Sequence, residues 1–232
     1  RKTGRGFYDY AETAVKPTPA LEPPASIATP IDVHGDSPLA TALATRLQAA
    51  GLDCNRVPAS DGRIATIAGA VLYVTDGRSA TRRAADTGVA NTVLVDLALD
   101  YSKATRLAVA LAQQCDPGAA TAVIGALQAA GYAVSRLSDV PGLAVMRVVA
   151  MLANEAADAV NQGVCSAAAA DAAMRLGVNY PCGPLAWADA IGVDALHAVL
   201  TNLGSSYGED RYRVSPVIQQ AFYAKRKLHD HC

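Results

Sequence analysis

The sequence lacks any strong charge imbalance and any long apolar run. Its 20 Lys and Arg residues oppose 21 Asp and Glu residues, for a formal net charge of -1. No excess of positive charge is therefore available to attract nucleic acid or an anionic membrane. The longest apolar runs, such as AGAVLYV, fall far short of the ~20 residues that cross a bilayer, and no secretory signal pattern is present. These absences predict a cytoplasmic protein with no nucleic-acid or membrane partner.

Cysteine is scarce and its pattern does not suggest pairing. The five cysteines are odd in number and form no C-x-x-C pair, which is typical of a reducing compartment. Cys182 lies in a glycine-proline loop with no His nearby in sequence, which favours a structural role over a nucleophilic one. The closing HDHC offers two His and one Cys, but a structural zinc site normally takes ligands from a second segment as well. We therefore predict no metal site.

Aromatic residues make up only 5% of a chain that is 51% hydrophobic, with alanine supplying much of the apolar content. This composition favours closely packed helices. The patterns predict four parts: a tail over residues 1–15, a linker with five prolines over 16–30, strands alternating with helices over 31–138, and helices only over 139–232. Such alternation predicts a small parallel sheet. The fold class expected is α/β followed by all-α.

Individual boundaries follow from the same patterns. Residues 104–115 and 119–130 are predicted as helices, and YAVSRL as the last strand. The apolar spacing over 141–162 predicts an amphipathic helix, with Pro141 in its first turn and Asp139 or its neighbours capping the free amides. Ser166 is expected to cap the next helix. Gly177, Gly192 and Gly204 are expected to end the helices that precede them.

Three segments of the helical part carry a family resemblance: DVPGLAVMRVVAMLANEAADAVNQG, DAAMRLGVNYPCGPLAWADAIG and YGEDRYRVSPVI. Together they resemble the C-terminal helical domain of the 3-hydroxyacyl-CoA dehydrogenases. The opening RKTGRGFYDY resembles the tail of the same kind of domain. The resemblance thus implies the C-terminal portion of a longer, duplicated dehydrogenase, in which 31–138 is a degenerate Rossmann-like copy of the NAD domain.

The family implies NAD-linked oxidation of a 3-hydroxyacyl-CoA to the 3-ketoacyl-CoA, with a His base, an orienting Glu, and Ser and Asn groups near the reacting oxygen. The dinucleotide fingerprint retains Gly35 here, but Ser37 and Ala40 stand at its other two glycine positions. Pro38 removes an amide at the helix start, and NRVPAS lacks the acid that would hold a ribose. The sequence therefore predicts that NAD serves the parent enzyme and is not bound by this chain.

The catalytic positions are also altered. The segment that would carry the family's His places Leu97 and Val109 there, and Met146 replaces the catalytic Asn of the long helix. We expect this chain to contribute no catalytic residue, to complete the fold of a 3-hydroxyacyl-CoA dehydrogenase of the β-oxidation type, and to form a homodimer through its helical domain, with Val148, Leu152 and residues near Trp187 at the contact. The candidate substrate or interface residues are Asn154, Glu155, Asn179, Tyr180, Gly183, Pro184, Trp187 and Asp189.

Other interpretations stay open at this stage. Asn179, Tyr180 and Asp189 could line a groove, or Gly183 and Pro184 could simply turn into a helix that Trp187 anchors. Asn154 is expected to cap a neighbouring element, and Arg147 and Glu155 to form an ion pair or to be helix-surface charges.

Two alternative functions also remain. A stand-alone module could bind a nucleotide or an acyl thioester in the vestigial pocket. A free-standing dehydrogenase would have Asp100, Tyr101 and Lys103 as its only polar cluster in that region, although a solvated loop explains this cluster more simply.

Overall fold

The computed structural model describes residues 6, 10–11, 13–15, 17–58 and 61–230. Most of the opening RKTGRGFYDY, and with it most of the predicted tail, lies outside the described residues. The helices and strands, in chain order, are β1 Ile31–His34, α1 Pro38–Ala49, β2 Asn55–Val57, β3 Arg63–Ile67, β4 Ala70–Val74, α2 Ala80–Thr87, β5 Thr92–Val95, β6 Arg106–Leu111, α3 Pro117–Ala129, β7 Ala133–Arg136, α4 Val145–Asn161, α5 Ala167–Val178, α6 Pro184–Ile191, α7 Val193–Tyr207 and α8 Pro216–Ala224. Short 3-10 turns follow α7 and α8, at Asp210–Tyr212 and Leu228–Asp230.

The strands form one sheet in the order β2-β1-β3-β4-β5-β6-β7. The pairs β1/β2, β4/β5 and β6/β7 are parallel, and the other three neighbouring pairs are antiparallel. The parallel pairing predicted from sequence therefore holds for only half of the pairs. One antiparallel pair arises because β3 and β4 form a hairpin. Its two turn residues, Ala68 and Gly69, both have positive φ (48° and 80°), as a two-residue turn with matching twist requires.

The predicted helix over 104–115 is wrong, because residues 106–111 form β6. RLAVAL has the alanine content of a helix, but its exposed and buried residues partly alternate, as expected for a strand between β5 and β7. Alanine favours a helix only weakly, so the sheet environment decides the conformation.

The sheet is covered on both faces. α1 and α3 pack on one face around Leu43, Leu47 and Leu127, all of which are fully buried. α2 packs on the other face, where Tyr73 and other residues of the central strands form a separate core. This Rossmann-like layered domain is followed by a helical domain, as predicted from the sequence.

The helical domain is assembled around α4. Small residues of α4, Ala150, Ala153 and Ala157, are completely buried and allow the neighbouring helices to approach closely. α4 begins at Val145 rather than near Pro141, because Gly142 and Leu143 have left-handed backbone conformations (φ 74° and 52°) that a helix cannot include.

Two of the predicted helix ends are also wrong. α5 continues past Gly177 to Val178, and Asn179 takes the left-handed position that ends it. α7 continues through Gly204, and Gly208 ends it. The predicted cap Ser166 is confirmed, since its Oγ accepts a hydrogen bond from the Ala169 amide, and Gly192 follows α6 as predicted.

The proline-rich segment is not detached from the domain. Glu22 donates its amide to the carbonyl of Val134 in β7 (2.8 Å), and the side chain of Gln128 in α3 bonds to the backbone of Glu22, Pro23 and Ala25. A Cβ added to Gly125 would lie 2.2 Å from the carbonyl oxygen of Ser26. This part of the linker therefore lies along the edge strand and α3.

Candidate functional site: a cleft between the two domains

A cleft of about 550 Å³ lies between the Rossmann-like sheet and the helical domain. Its sheet side is formed at the carboxyl ends of β1, β4 and β5, which point in the same direction. Its other side is formed by α6, α7 and Met146 of α4. Ligands of α/β proteins bind at this edge of a sheet, so the cleft is the candidate functional site.

The start of α1 forms one corner of the cleft, where a dinucleotide pyrophosphate would approach. The Ser37 side chain accepts a hydrogen bond from the Ala40 amide (3.3 Å), and Pro38 removes another donor from the first turn. Arg56 donates to the carbonyl groups of Gly35 and Ala40. Because the first turn is partly self-capped and lacks one donor, this corner does not fit an NAD pyrophosphate.

A carboxylate at the end of β5 holds the start of α4 beside the cleft. Asp96 is 2% exposed and accepts hydrogen bonds from the amides of Ala144, Val145 and Met146 at 2.8 to 3.0 Å. Asp139, which the sequence predicted as the cap of this helix, instead accepts from the amides of Ala80 and Thr81 in α2 (2.6 and 2.9 Å). The two carboxylates thus connect the sheet domain to the start of the helical domain.

The three positions that the sequence resemblance predicts to match the family's catalytic groups are apolar. Leu97 lines the cleft, Val109 is buried inside β6, and Met146 is 3% exposed with a side chain that contributes to the cleft wall. A thioether cannot donate a hydrogen bond to a developing charge. This wall therefore offers shape and apolar contact but no acid or base.

The polar cluster of residues 100–103 is structural. The Tyr101 hydroxyl donates to the carbonyl of Asp96 (3.2 Å), and burial raises the pKa of Tyr101 to about 12. Lys103 forms an exposed ion pair with Asp100 at 3.0 Å. A tyrosine that is hard to ionise and already bonded to backbone is unsuited to proton transfer near neutral pH.

Of the eight residues singled out from the sequence, the structure places Trp187 in the cleft wall. The ring of Tyr180 packs against it, with 5.9 Å between ring centroids. Gly183 and Pro184 begin α6, and a Cβ on Gly183 would lie 2.1 Å from the carboxyl carbon of Asp171. Asn179 caps α5, as described above.

The remaining three of the eight residues, Asn154, Glu155 and Asp189, do not line the cleft either. Asn154 is buried and bonds to the backbone of Arg213 and Ser215 (both 2.8 Å), which agrees with the predicted capping of a neighbouring element. Glu155 is exposed, and Arg147 donates to the Tyr207 hydroxyl at 3.0 Å rather than to Glu155.

Asp189 belongs to a cluster that the sequence did not indicate. Its carboxylate accepts from the amides of Leu228 and His229. The ring of His229 contacts Asp189 at 2.7 Å through Nδ1 and Asp171 at 3.1 Å through Nε2. The hydrogen bond to Asp189, and then the charges of both carboxylates, raise the pKa of His229 above its usual 6.5.

Arg83 is a further cleft residue that the sequence did not indicate. It follows Arg82 in an amphipathic helix, and nothing in the sequence separates the two. Their burial differs because α2 places Arg83 against the sheet and Arg82 towards solvent.

Among the described residues, no group of three or more His, Cys, Asp or Glu side chains is arranged to hold a metal ion. No helix within the described ranges is long and apolar enough to cross a membrane.

The fold defines a two-domain architecture, in which a Rossmann-like layer precedes a helical domain. Residues 72–141 match the family model described as the 3-hydroxybutyryl-CoA dehydrogenase reduced Rossmann-fold domain, and residues 142–229 match the 3-hydroxyacyl-CoA dehydrogenase C-terminal domain. The two matches run without a gap over more than half of the sequence. The chain belongs to the 3-hydroxyacyl-CoA dehydrogenase family, which confirms the resemblance found in the sequence.

Individual relatives agree with this assignment. The chain is 48% identical over 94 residues to the 3-hydroxyadipyl-CoA dehydrogenase of Escherichia coli K12, a match covering 40% of the chain and 20% of the relative. It is 38% identical over 90 residues to a probable 3-hydroxybutyryl-CoA dehydrogenase of Bacillus subtilis, covering 39% and 31%. The chain thus spans less than a third of either relative.

Among solved structures, 96% of the chain superposes on 41% of the 3-hydroxybutyryl-CoA dehydrogenase of Escherichia coli K12, with a TM-score of 0.75 and 30% identity. The (S)-3-hydroxybutyryl-CoA dehydrogenase of Ralstonia eutropha shares the fold at a TM-score of 0.58 and 21% identity, over 85% of this chain and 69% of that one.

Proposed function

We propose that this chain is the non-catalytic C-terminal portion of an NAD-dependent 3-hydroxyacyl-CoA dehydrogenase. In the whole enzyme, oxidation of a 3-hydroxyacyl-CoA to the 3-ketoacyl-CoA, of the β-oxidation type, takes place elsewhere in the molecule. This portion completes the fold and supplies a dimer surface. The observation that carries the proposal is the start of α1, where Ser37 occupies one amide and Pro38 removes another.

The cleft wall supports the same conclusion. A dehydrogenase site needs a base and hydrogen-bond donors aimed at the reacting oxygen. Leu97 and Met146 provide neither at the positions where the family places them. The family's architecture therefore surrounds a cleft that carries no base and no hydrogen-bond donor at these two positions.

The solved relative from Escherichia coli supports the placement within a longer chain. Nearly the whole of this chain superposes on it, yet only 41% of that enzyme is covered. The uncovered remainder is long enough to hold a complete NAD domain of its own, since such domains take ~150 residues or fewer. We assign the cofactor and the substrate of the parent enzyme to that remainder.

Calorimetric titration of NADH into the chain tests this proposal. We expect no measurable binding, and no oxidation of NADH above blank when acetoacetyl-CoA is added. The Escherichia coli 3-hydroxybutyryl-CoA dehydrogenase, measured in the same buffer, serves as the positive control. A micromolar dissociation constant for NADH, or turnover above blank, would contradict the proposal.

A further inference from the structure

Arg83 lies at the sheet end of the cleft and is almost completely buried, with 6% of its surface exposed. Its guanidinium carbon lies 3.9 Å from the centre of the Tyr73 ring. Its Nη1 donates to the carbonyl of Val74 (3.3 Å) and to the carboxylate of Asp76 (3.0 Å). Its Nε is buried without any hydrogen-bond partner, and burial lowers the pKa of the group. An unpaired donor on a buried cation is costly, so the protein groups around Arg83 satisfy its guanidinium only in part.

The acidic partners of Arg83 do not balance the local charge. Asp76 also accepts from Arg78 at 2.6 Å, and Arg78 reaches Asp86 at 3.0 Å. Arg82 contacts the same Asp86 at 3.7 Å. Three arginines therefore share two carboxylates, and of these five groups Arg83 and Asp76 line the cleft. Arg63, which also lines the cleft, has its own partner in Asp61 at 2.6 Å.

The rest of the cleft is mostly apolar. The wall opposite and beside Arg83 includes Leu97, Met146, Trp187, Ile191, Ala198 and Val199. The volume of about 550 Å³ lies in the range of small-molecule sites. An apolar slot with one buried cation at its end matches a ligand that has an apolar body and one acidic group.

We propose that this cleft binds a small monocarboxylate with an apolar chain, whose carboxylate pairs with Arg83 and whose chain lies between Met146, Trp187 and Val199. The inference goes beyond the proposed function and does not depend on it. A carboxylate suits the site because hydrogen bonds between a guanidinium and a carboxylate are charge-assisted and therefore strong. A nucleotide phosphate would have to use the start of α1, where Ser37 and Pro38 limit the donors and the exposed Asp36 adds negative charge.

Fluorescence of the chain itself reports on this cleft, because Trp187 is its only tryptophan and lies in the wall. Titration of the chain with octanoate is expected to give a saturable change in Trp187 emission. 1-Octanol has the same apolar chain without the charge and should bind at least roughly tenfold more weakly, since a charge-assisted hydrogen bond contributes at least that factor. Adenosine diphosphate should neither change the emission nor compete.

Two pairs of variants separate the charge from the apolar wall. Arg83→Gln should weaken octanoate binding at least roughly tenfold, whereas Arg82→Gln, on the same helix but outside the cleft, should leave it unchanged. Ala198→Leu should fill the slot and weaken binding without touching Arg83. Ala168→Leu, on the exposed side of α5, adds the same side chain elsewhere and should have no effect.

Several outcomes would overturn the proposal. These are the lack of any saturable response to millimolar octanoate, equal binding of octanol and octanoate, or unchanged octanoate binding in an Arg83→Gln variant that melts like the parent chain. Tighter binding of adenosine diphosphate in competition with octanoate would make the cleft a nucleotide site instead. If Arg83→Gln does not fold, the comparison of octanol with octanoate and the Ala198→Leu variant still decide the question.

Discussion

Asp96 shows how much one residue contributes to the joint between the domains. Asp96 follows the last residue of β5, and its buried carboxylate accepts hydrogen bonds from three backbone amides at the start of α4. Asp96→Ala should lower the free energy of unfolding by about 2 kcal/mol or more, because buried donors lose a charged partner. Urea denaturation measures this loss. Asp100→Ala, in an exposed loop nearby, is the control and should cost distinctly less stability. Equal stability of the two variants would refute the capping role.

Met146, which the sequence resemblance predicts to replace the family's catalytic Asn, has its side chain buried between the α4 core and the cleft. Met146→Ala should destabilise the fold by about 2 to 5 kcal/mol, because it leaves a cavity in a packed core. Thermal and urea unfolding measure the effect, and Met174→Ala, half-buried on α5, should cost distinctly less. In the whole enzyme, turnover per folded molecule should stay nearly unchanged. A rate loss above roughly tenfold with unaltered stability would instead give Met146 a part in the chemistry.

At the scale of elements, a histidine fixes the last 3-10 turn onto α5 and α6. Protonated His229 pairs with Asp171 and Asp189, and its pKa is raised above 6.5. A raised folded-state pKa means that the stabilisation is fully present below pH 6.5 and is lost as the pH rises through the folded-state value. Urea midpoints across this range should therefore decline with rising pH, and His229→Gln should remove that decline.

His197 provides the control for this pH dependence. Its ring stacks on Phe222 with 4.0 Å between centroids, and burial lowers its pKa. A lowered folded-state pKa costs stability only as the pH falls below 6.5. His197→Gln should therefore keep the decline at higher pH that His229→Gln removes. Loss of that decline in the His197 variant would show that the wrong histidine has been identified.

At the scale of the whole molecule, one close approach between the two domains lies where the loop after β4 contacts α7. Gly77 has a φ of 93°, and a Cβ added to it would lie 2.4 Å from the carbonyl oxygen of Val199. Gly77→Ala should cost about 3 kcal/mol or more, since backbone strain and a backbone clash add together. Gly88→Ala, with a φ of 70° and nothing within 4 Å, tests strain alone and should cost about 1 to 2 kcal/mol. Similar losses in denaturation experiments would argue against a rigid joint.

The exposed face of α4 is the proposed dimer surface. Val145 and Val148 are 42% and 55% exposed, and Leu152 continues the same helical face. Apolar residues grouped in this way favour a symmetric contact. Light scattering at micromolar concentration should report a dimer, and Val148→Glu should convert it to a monomer. Val164→Glu, at an exposed valine beyond α4, should leave the dimer intact. If the unsubstituted chain is a monomer, the proposed dimer is wrong.

The sequence alone determined the family, the order of the two domains and most helices of the second one. These features depend on local signals, such as the spacing of apolar residues over 141–162 and a capping serine at position 166, which act within a few residues of the chain. It also led us to predict an altered dinucleotide site, because glycine spacing and Pro38 are local properties of one turn.

Only the tertiary structure decided the features that depend on residues far apart in sequence. The alanine-rich segment 106–111 became a strand because β5 and β7 lie on either side of it. Asp96 caps α4 in place of the predicted Asp139, and Asp139 caps α2, because each carboxylate reaches a helix far from it in sequence. Arg83 differs from Arg82 only in the direction that α2 turns it, and that direction makes one of them a buried cation at the end of a cleft. Local propensity does not predict contacts of this kind, because burial and pairing arise only when segments far apart in sequence pack together.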